Sequence, residues 1–175
     1  QVDSDIASGS SLGFVYFGGS EDNSANWDHG AAIGAYAAED WTVGSAAGAD
    51  LTFWTIANTT SNAAERMRIL DNGNVGIGTS TPSSTLEVAG SSNSGNLTVS
   101  RRGATAADGN ELGVITFQGQ QGDSTMETGA RIVATVNGTP SSTANDMPSS
   151  LIFQTCPDGS GSVTSRLGID AKGDI

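Results

Sequence analysis

Residues that could take part in chemistry are concentrated in two short acidic segments, NWDHG at positions 26–30 and AEDW at 38–41. A glycosidase needs two carboxylates on opposite sides of a sugar, and tryptophan offers an apolar ring face on which a sugar can stack. A solvent-facing loop that tryptophan anchors has the same composition, and we expect such a loop here and no catalytic residue. Four residues are candidate contacts for a glycan or receptor: Trp27, Asp28, His29 and Trp41.

A second candidate site is the glycine-rich stretch DNGNVGIGT. The carboxylate and amide oxygens of Asp71–Asn74 suit a calcium ion, but Asn72-Gly73 is also the dipeptide that a tight hairpin turn demands. The related stretch AKGD keeps the glycine and places Lys172 where a cation ligand would be, which favours the turn. A dinucleotide-binding loop requires a helix after its glycines, and Pro82 argues against one. We predict neither a metal nor a cofactor.

The charge balance excludes several kinds of partner. The 175 residues carry 19 acids against 7 bases, a net charge of −12, with no Lys or Arg before Arg66. Such a surface repels nucleic acid, which is therefore not an expected partner. No apolar run approaches the roughly 20 residues of a spanning helix, so we expect no membrane insertion. Cys156 is the only cysteine, which rules out an intrachain disulfide and any zinc site built from several cysteines.

The chain repeats itself at an offset of 100 residues. GSSLGFVYFGG aligns with GNELGVITFQG, LTFWT with LIFQT, and RMRILDNGNV with RLGIDAKGDI, which gives eleven identities in three ordered blocks. Between them, HGAAIGAYA aligns with TGARIVATV at an offset of 99. Ordered matches of this kind indicate tandem copies of one unit. We predict β-repeat modules at 1–79 and 96–175, joined by a connecting segment with a short strand at 80–95. The second copy stops before its GIGT equivalent, so we expect a longer array.

Runs of β-branched and aromatic residues between Gly, Ser and Asn predict an all-β fold with little or no helix. In the first copy, strands are predicted at Leu12–Phe17, Ala31–Ala37, Leu51–Ile56, Glu65–Leu70 and Val75–Thr79. In the second copy they are predicted at Leu112–Phe117, Ala130–Val136, Leu151–Thr155 and Arg166–Ile169. Between the copies, two further short strands are predicted at Leu86–Val88 and Leu97–Arg101.

Alternation along these strands predicts their faces. ERMRIL places its apolar residues on one face and Arg66 and Arg68 on the other. VGIG turns Val75 and Ile77 inward, and its glycines leave the opposite face bare for another backbone, such as that of a second or third chain. A module this small, with few large apolar residues and open sheet edges, is a poor candidate for a stable monomer. We therefore expect a homo-oligomer, and a trimer in particular.

The stretch ERMRILDNGNVGIGTSTPSSTLEVAG resembles the repeat of bacteriophage tail-fibre and tail-spike proteins and of related bacterial surface fibres. The second copy offers MPSSLIFQTCPDGSGSVTSRLGIDAKGDI against the same pattern. The resemblance implies a long trimeric β-structured fibre in which chains associate with themselves and with other fibre or virion proteins. Similar repeats often precede a self-cleaving chaperone domain, and no residue here matches that domain. The second copy has Ser165 and Gly168 where the first has Glu65 and Arg68, so an Arg–Glu pair common in the family is missing there.

Three functions follow as hypotheses. The first is structural: a segment of a virion or extracellular fibre that spaces and presents a host-receptor-binding region, acting through reach and multivalency. The second is a glycan- or receptor-binding adhesin module of a bacterial surface filament, which uses loops of the first copy. The third and weakest is a polysaccharide-degrading tail spike.

Overall fold

A computed structural model describes residues 6–20, 27–44, 47–90, 94–103, 105–122, 124–141 and 146–175. Within these ranges the protein is all-β, which confirms the predicted fold class. None of the described residues forms a helix that could cross a membrane. The chain divides into two compact units, Gln1–Leu97 and Thr98–Ile175, each with one sheet among its described residues. The module limits 1–79, 80–95 and 96–175 stay a prediction.

The first unit is a six-stranded sheet in which every strand lies beside its neighbour in sequence. The strands are β1 Ser11–Ser20, β2 Trp27–Ala37, β3 Ala49–Ile56, β4 Ala63–Ile69, β5 Val75–Ile77 and β6 Leu86–Val88. The first five are antiparallel, because short connections join them, while β5 and β6 are parallel and joined by a longer one.

The second unit is a four-stranded antiparallel sheet in the order β10-β9-β8-β7. Its strands are β7 Glu111–Gln120, β8 Met126–Val136, β9 Ser149–Thr155 and β10 Thr164–Ile169. The prediction of a strand at Leu97–Arg101 is wrong, because this segment joins no ladder. Instead, Val99 lies over β7 at Gly113, against the face of the strand.

The two sheets share one register. A cross-strand row of the first sheet runs Val15, Ile33, Phe53 and Met67, and the equivalent row of the second runs Ile115, Ile132, Phe153 and Leu167. β-Bulges occur at corresponding places, including Arg66 and Arg166. The Nε atoms of these two arginines donate to Thr55 and Thr155, at 2.9 and 2.8 Å. The repeat read from the sequence therefore extends to individual hydrogen bonds.

One face of each sheet, which we call the apolar face, contains these rows and their neighbours at alternate positions. It carries large apolar side chains that are between 36% and 60% exposed. Ten of these lie among the described residues: Val15, Phe17, Leu51, Ile77, Leu86, Ile115, Phe117, Leu151, Leu167 and Ile169.

Little of the chain forms an interior. Among the described residues, the buried apolar residues are only Ala32, Ala37, Val133 and Val136. Stable domains normally pack at least two layers of secondary structure around one core. Among the described residues each unit supplies one layer, and no second sheet or helix of the same unit covers its apolar face.

Candidate functional site

Three of the four candidate contacts lie on a strand. The backbones of Trp27, Asp28 and His29 pair with the last residues of β1. The prediction of an acidic loop is therefore wrong at these residues, because their backbones extend the antiparallel ladder between β1 and β2. Asp28 and His29 are exposed, and the side chain of Trp27 lies outside the described part of the structure.

The fourth candidate, Trp41, lies beyond the opposite end of β2. It forms an isolated β-bridge with Ile6, and its Nε1 donates to the carbonyl of Gly48 at 3.0 Å. The eleven residues of β2 span about 33 Å. The structure therefore does not bring Trp41 together with Asp28 and His29.

The neighbouring carboxylates have structural partners at the same end as Trp41. The Oε1 atom of Glu39 accepts a hydrogen bond from the Gly48 amide at 2.8 Å. The Oδ1 atom of Asp40 accepts one from the Ser8 amide at 2.7 Å. Both carboxylates thus satisfy backbone donors and lie far from Asp28, so they do not form a catalytic pair with it.

An aromatic band covers the other face of the first unit. Tyr16 stacks on His29 with ring centroids 4.4 Å apart, and Phe14 stacks on Tyr16 at 5.4 Å. Tyr36 meets Phe14 edge-on at 5.5 Å and lies 6.4 Å from Trp54. Sequence reasoning missed this band, although the alternate spacing of Phe14 and Tyr16 places both on one face. The second unit has no aromatic counterpart, since the equivalent positions are Val114, Thr116, Thr135 and Gln154.

Asp28 and His29 line an open groove of about 990 Å³ at the end of the first sheet. Its other wall is the β3–β4 connection, where the non-glycine Thr59 has φ +69°. An equivalent groove of about 590 Å³ lies in the second unit, where Glu127 and Thr128 replace the Asp–His pair. A carboxylate and hydroxyl groups can exchange hydrogen bonds with a polyol. Among the described residues, no three His, Cys, Asp or Glu side chains are grouped so as to hold a metal.

An ionic network lies on the aromatic side of the first sheet. Arg68 donates from Nε and Nη2 to Glu65 at 2.9 and 2.6 Å, and from Nη1 to Asp50 at 2.8 Å. The hydrogen bond to Glu65 is the main cause that raises the pKa of Arg68 above its ordinary range, and Asp50 adds to it. The guanidinium also lies 5.9 Å from the centre of the Tyr36 ring. The second unit lacks this network, because its equivalent residues are Ser150, Ser165 and Gly168.

The bulge at Arg66 corrects the predicted alternation. Arg66 donates to Thr55, which shares the apolar face with Phe53, whereas Arg68 pairs across the sheet with Thr52 on the other face. The prediction that Arg66 and Arg68 lie on one face is therefore wrong, because an extra residue shifts the alternation at that point.

The stretch Asp71–Asn74 forms the predicted turn. The Gly73 amide donates to Leu70 at 2.9 Å, and Gly73 has φ +86°, while Asn72 is not among the residues with positive φ. A turn followed by one left-handed glycine is the usual form of a three-residue hairpin loop. The turn therefore requires glycine at one position rather than two, and the Asn72 side chain accepts a hydrogen bond from the Asn74 amide.

The glycines of VGIG have a different neighbour from the one expected. A Cβ at Gly76 would collide with the carbonyl of Thr79 and lie 3.2 Å from Pro82, and a Cβ at Gly78 would collide with the carbonyl of Ala89. The backbone that approaches them belongs to the same chain and not to a second or third one. Ile77, which was expected to face inward, is 42% exposed on the apolar face.

Comparisons with known proteins identify no family. No protein-family model and no curated protein matches the chain. The similar solved structures include two of the carboxy-terminal domain of the bacteriophage T5 L-shaped tail fibre. The one that includes the intramolecular chaperone domain is 14% identical, with a TM-score of 0.46 over 98% of this chain and 55% of that one. The other is 16% identical, with a TM-score of 0.44 over 98% and 80%. This chain thus spans about half of the first.

Proposed function

We propose that this chain is a structural segment of a virion tail fibre or extracellular fibre, in which identical chains associate through their apolar faces. The observation that carries the proposal is the apolar face itself, which recurs in both units with the same register. The resemblance of the repeat in sequence supports the setting, and it favours three copies over two.

The magnitude of the exposed surface supports self-association. Full burial of a Val, Leu, Ile or Phe side chain contributes roughly 1.5–3 kcal/mol. Ten such side chains, each about half exposed, leave on the order of 10 kcal/mol per chain to be gained, which is similar to the whole stability of a domain. Identical copies that meet through the same surface form closed, symmetric assemblies. The function is then mechanical: the repeated units set the reach of the fibre and present a receptor-binding region.

Phe17 and Tyr16 offer a matched test of this assembly. They are neighbours on β1 with almost equal exposure, 53% and 54%, but they lie on opposite faces. Sedimentation equilibrium should give three times the chain mass of 17.6 kDa for the parent protein. We expect Phe17→Asp to shift the protein towards monomer and Tyr16→Asp to leave the assembly intact. A folded parent monomer, or equal effects of the two changes, would contradict the proposal.

A second candidate function is recognition of a glycan at the first groove. It is favoured by the exposed stack of Tyr16 on His29 beside Asp28, an arrangement that the second unit lacks. Glycan-array binding should be lost with Tyr16→Thr and His29→Thr, which introduce the residues of the second unit, and should survive Trp41→Ala. Binding that depends on Trp41 alone would exclude this groove.

A polysaccharide-degrading activity has the least support, because Glu39 and Asp40 are engaged with backbone amides at the opposite end of β2 from Asp28. Release of reducing ends from a host polysaccharide that disappears with Asp28→Ala would establish it.

A further inference from the structure

Asp28 points to the apolar face of the first sheet. The next residue, His29, stacks on Tyr16 with ring centroids 4.4 Å apart, which places it on the aromatic side. Because successive side chains of a strand point to opposite faces, Asp28 lies on the other side. There it pairs with Gly19, two residues beyond Phe17 on β1. An exposed carboxylate therefore lies at the same end of the apolar face as Phe17.

Glu127 occupies the same place in the second sheet. It pairs with Gly119, two residues beyond Phe117 on β7. The next residue, Thr128, accepts a hydrogen bond at 3.3 Å from the side chain of Gln118, which points away from the apolar face. Both units thus place an exposed acid at this position, although not the same acid.

Arg66 and Arg166 place the opposite charge at the same end of each apolar face. Their Nε atoms donate to Thr55 and Thr155 at 2.9 and 2.8 Å, which holds each side chain over the sheet. Thr55 belongs to one cross-strand row with Phe17, and Thr155 belongs to the equivalent row of the second sheet. Among the described residues, neither arginine forms an ion pair.

The other charged side chains of the described strands lie on the opposite face and have partners within the chain: Arg68 with Glu65 and Asp50, Arg131 with Glu111, and Glu87 with Ser83. The four on the apolar face, two acids and two arginines, have no ionic partner in the part of the chain that the structure describes. Burial of an unpaired charge is strongly unfavourable. Association of the apolar faces therefore requires that these charges meet partners on another copy.

Acid and base lie on opposite halves of each apolar face. In the first sheet, β3 separates the strand of Asp28 from the strand of Arg66 by about 10 Å, and β9 does the same for Glu127 and Arg166. When two copies meet with their strands in the same direction, the arginine half of one can face the acid half of the other. Copies that meet in opposite directions would place each arginine against the other end of the sheet, where the described strands carry no charge on this face.

We propose that Arg66 and Arg166 of one chain pair with Asp28 and Glu127 of a second copy, and that these ion pairs align the chains in the same direction. The inference rests on the proposed association through the apolar faces and adds the orientation of the partners to it. Complementary charges at an interface exclude wrong alignments, because a misaligned copy leaves charges buried without a partner.

Opposite charge reversals on separate chains test the pairing. In sedimentation equilibrium, we expect Arg66→Glu alone and Asp28→Arg alone each to weaken association by about tenfold or more. An equal mixture of the two variants should associate about tenfold more tightly than either alone, because each supplies the charge that the other lacks. Pairing within one chain cannot give this recovery. Lys172→Glu is the matched control, since it makes the same change of charge as Arg66→Glu in the turn beyond the other end of β10, and it should leave association unchanged.

The outcomes separate this inference from the proposed function. Circular dichroism establishes that each variant folds. A parent that associates and keeps its affinity in both variants would overturn the pairing and leave the fibre assembly standing. Variants that are weakened but do not recover on mixing would also overturn it, because the two charges would then act independently. A folded parent monomer would overturn the assembly and the pairing together.

Discussion

Arg68 makes a two-point hydrogen bond to Glu65, three residues earlier on the same strand. In a regular strand, residues three apart point to opposite faces. The bulge at Arg66 adds the residue that returns Glu65 to the face of Arg68. The irregularity of β4 is thus what allows the ionic network to form.

The first prediction concerns this network. Arg68→Gly, which introduces the residue of the second unit, should lower the free energy of unfolding of the first unit by about 2–3 kcal/mol, because it leaves the carboxylate of Glu65 unpaired and that of Asp50 with only the Asp71 amide as a donor. All three tryptophans lie in residues 1–97, so their fluorescence in a urea titration reports on that unit. The double change Glu65→Ser and Arg68→Gly, which keeps Asp50 as the acceptor of the Asp71 amide, should cost less than Arg68→Gly alone. A greater cost would mean that the network itself stabilises the sheet.

The second prediction compares Gly113 with Gly13. Gly113→Ala places a methyl group against the Val99 carbonyl and should speed hydrogen exchange of β7 amides by about tenfold, equivalent to about 1.4 kcal/mol. Gly13→Ala meets open space and should be neutral or stabilise by up to about 1 kcal/mol, because alanine restricts the unfolded chain. Equal protection of β7 in the Gly113 variant and the parent would show that Val99 does not cover Gly113 in solution.

The third prediction concerns Gly78. It has φ +76° and lies against the carbonyl of Ala89, so Gly78→Ala should cost roughly 1–3 kcal/mol through strain and collision. The control is Gly19→Ala, which meets nothing within 4 Å. Tryptophan fluorescence in urea measures both. A neutral Gly78 variant would mean that β5 and β6 are not held as closely as described.

The fourth prediction is a pH dependence at Glu87. Hydrogen bonds from the amide and then the hydroxyl of Ser83 hold the pKa of Glu87 below its ordinary value of 4.5. A lowered pKa in the folded state gives stability that is present above pH 4.5 and lost as the pH falls through the folded value. The Ser83 amide resonance should therefore titrate below pH 4.5 in the parent and stay constant in Glu87→Gln. A Ser83 amide chemical shift that does not change with pH in either protein would contradict the hydrogen bond to Glu87.

The positions of most strands could be predicted from the sequence, because runs of β-branched and aromatic residues between turn residues determine them. The turn at Gly73 was found from its dipeptide, and β6 was found from three residues. The prediction of a strand at Leu97–Arg101 was wrong because a run of strand-forming residues does not show whether a neighbouring sheet edge is available for pairing. The neighbour of the VGIG glycines was also not predictable, since the sequence indicates that a backbone comes close but not which segment or chain it belongs to.

The candidate site was predicted less well. Asp28 and His29 were identified as exposed polar residues, but Trp41 was grouped with them because it is near in sequence, and a straight strand holds it far away. The aromatic band was missed because its members come from three strands. Bulges such as the one at Arg66 also limit prediction, because one extra residue exchanges the two faces of a strand and the composition does not show where this occurs.

The open apolar face has a consequence for how the protein is made. Under the proposed assembly, an isolated chain buries few apolar side chains among its described residues, so folding and association are coupled and the melting temperature rises with protein concentration. A dilute chain keeps its apolar face in contact with water, a state that favours aggregation. The yield of native protein then depends on how soon newly made chains meet one another.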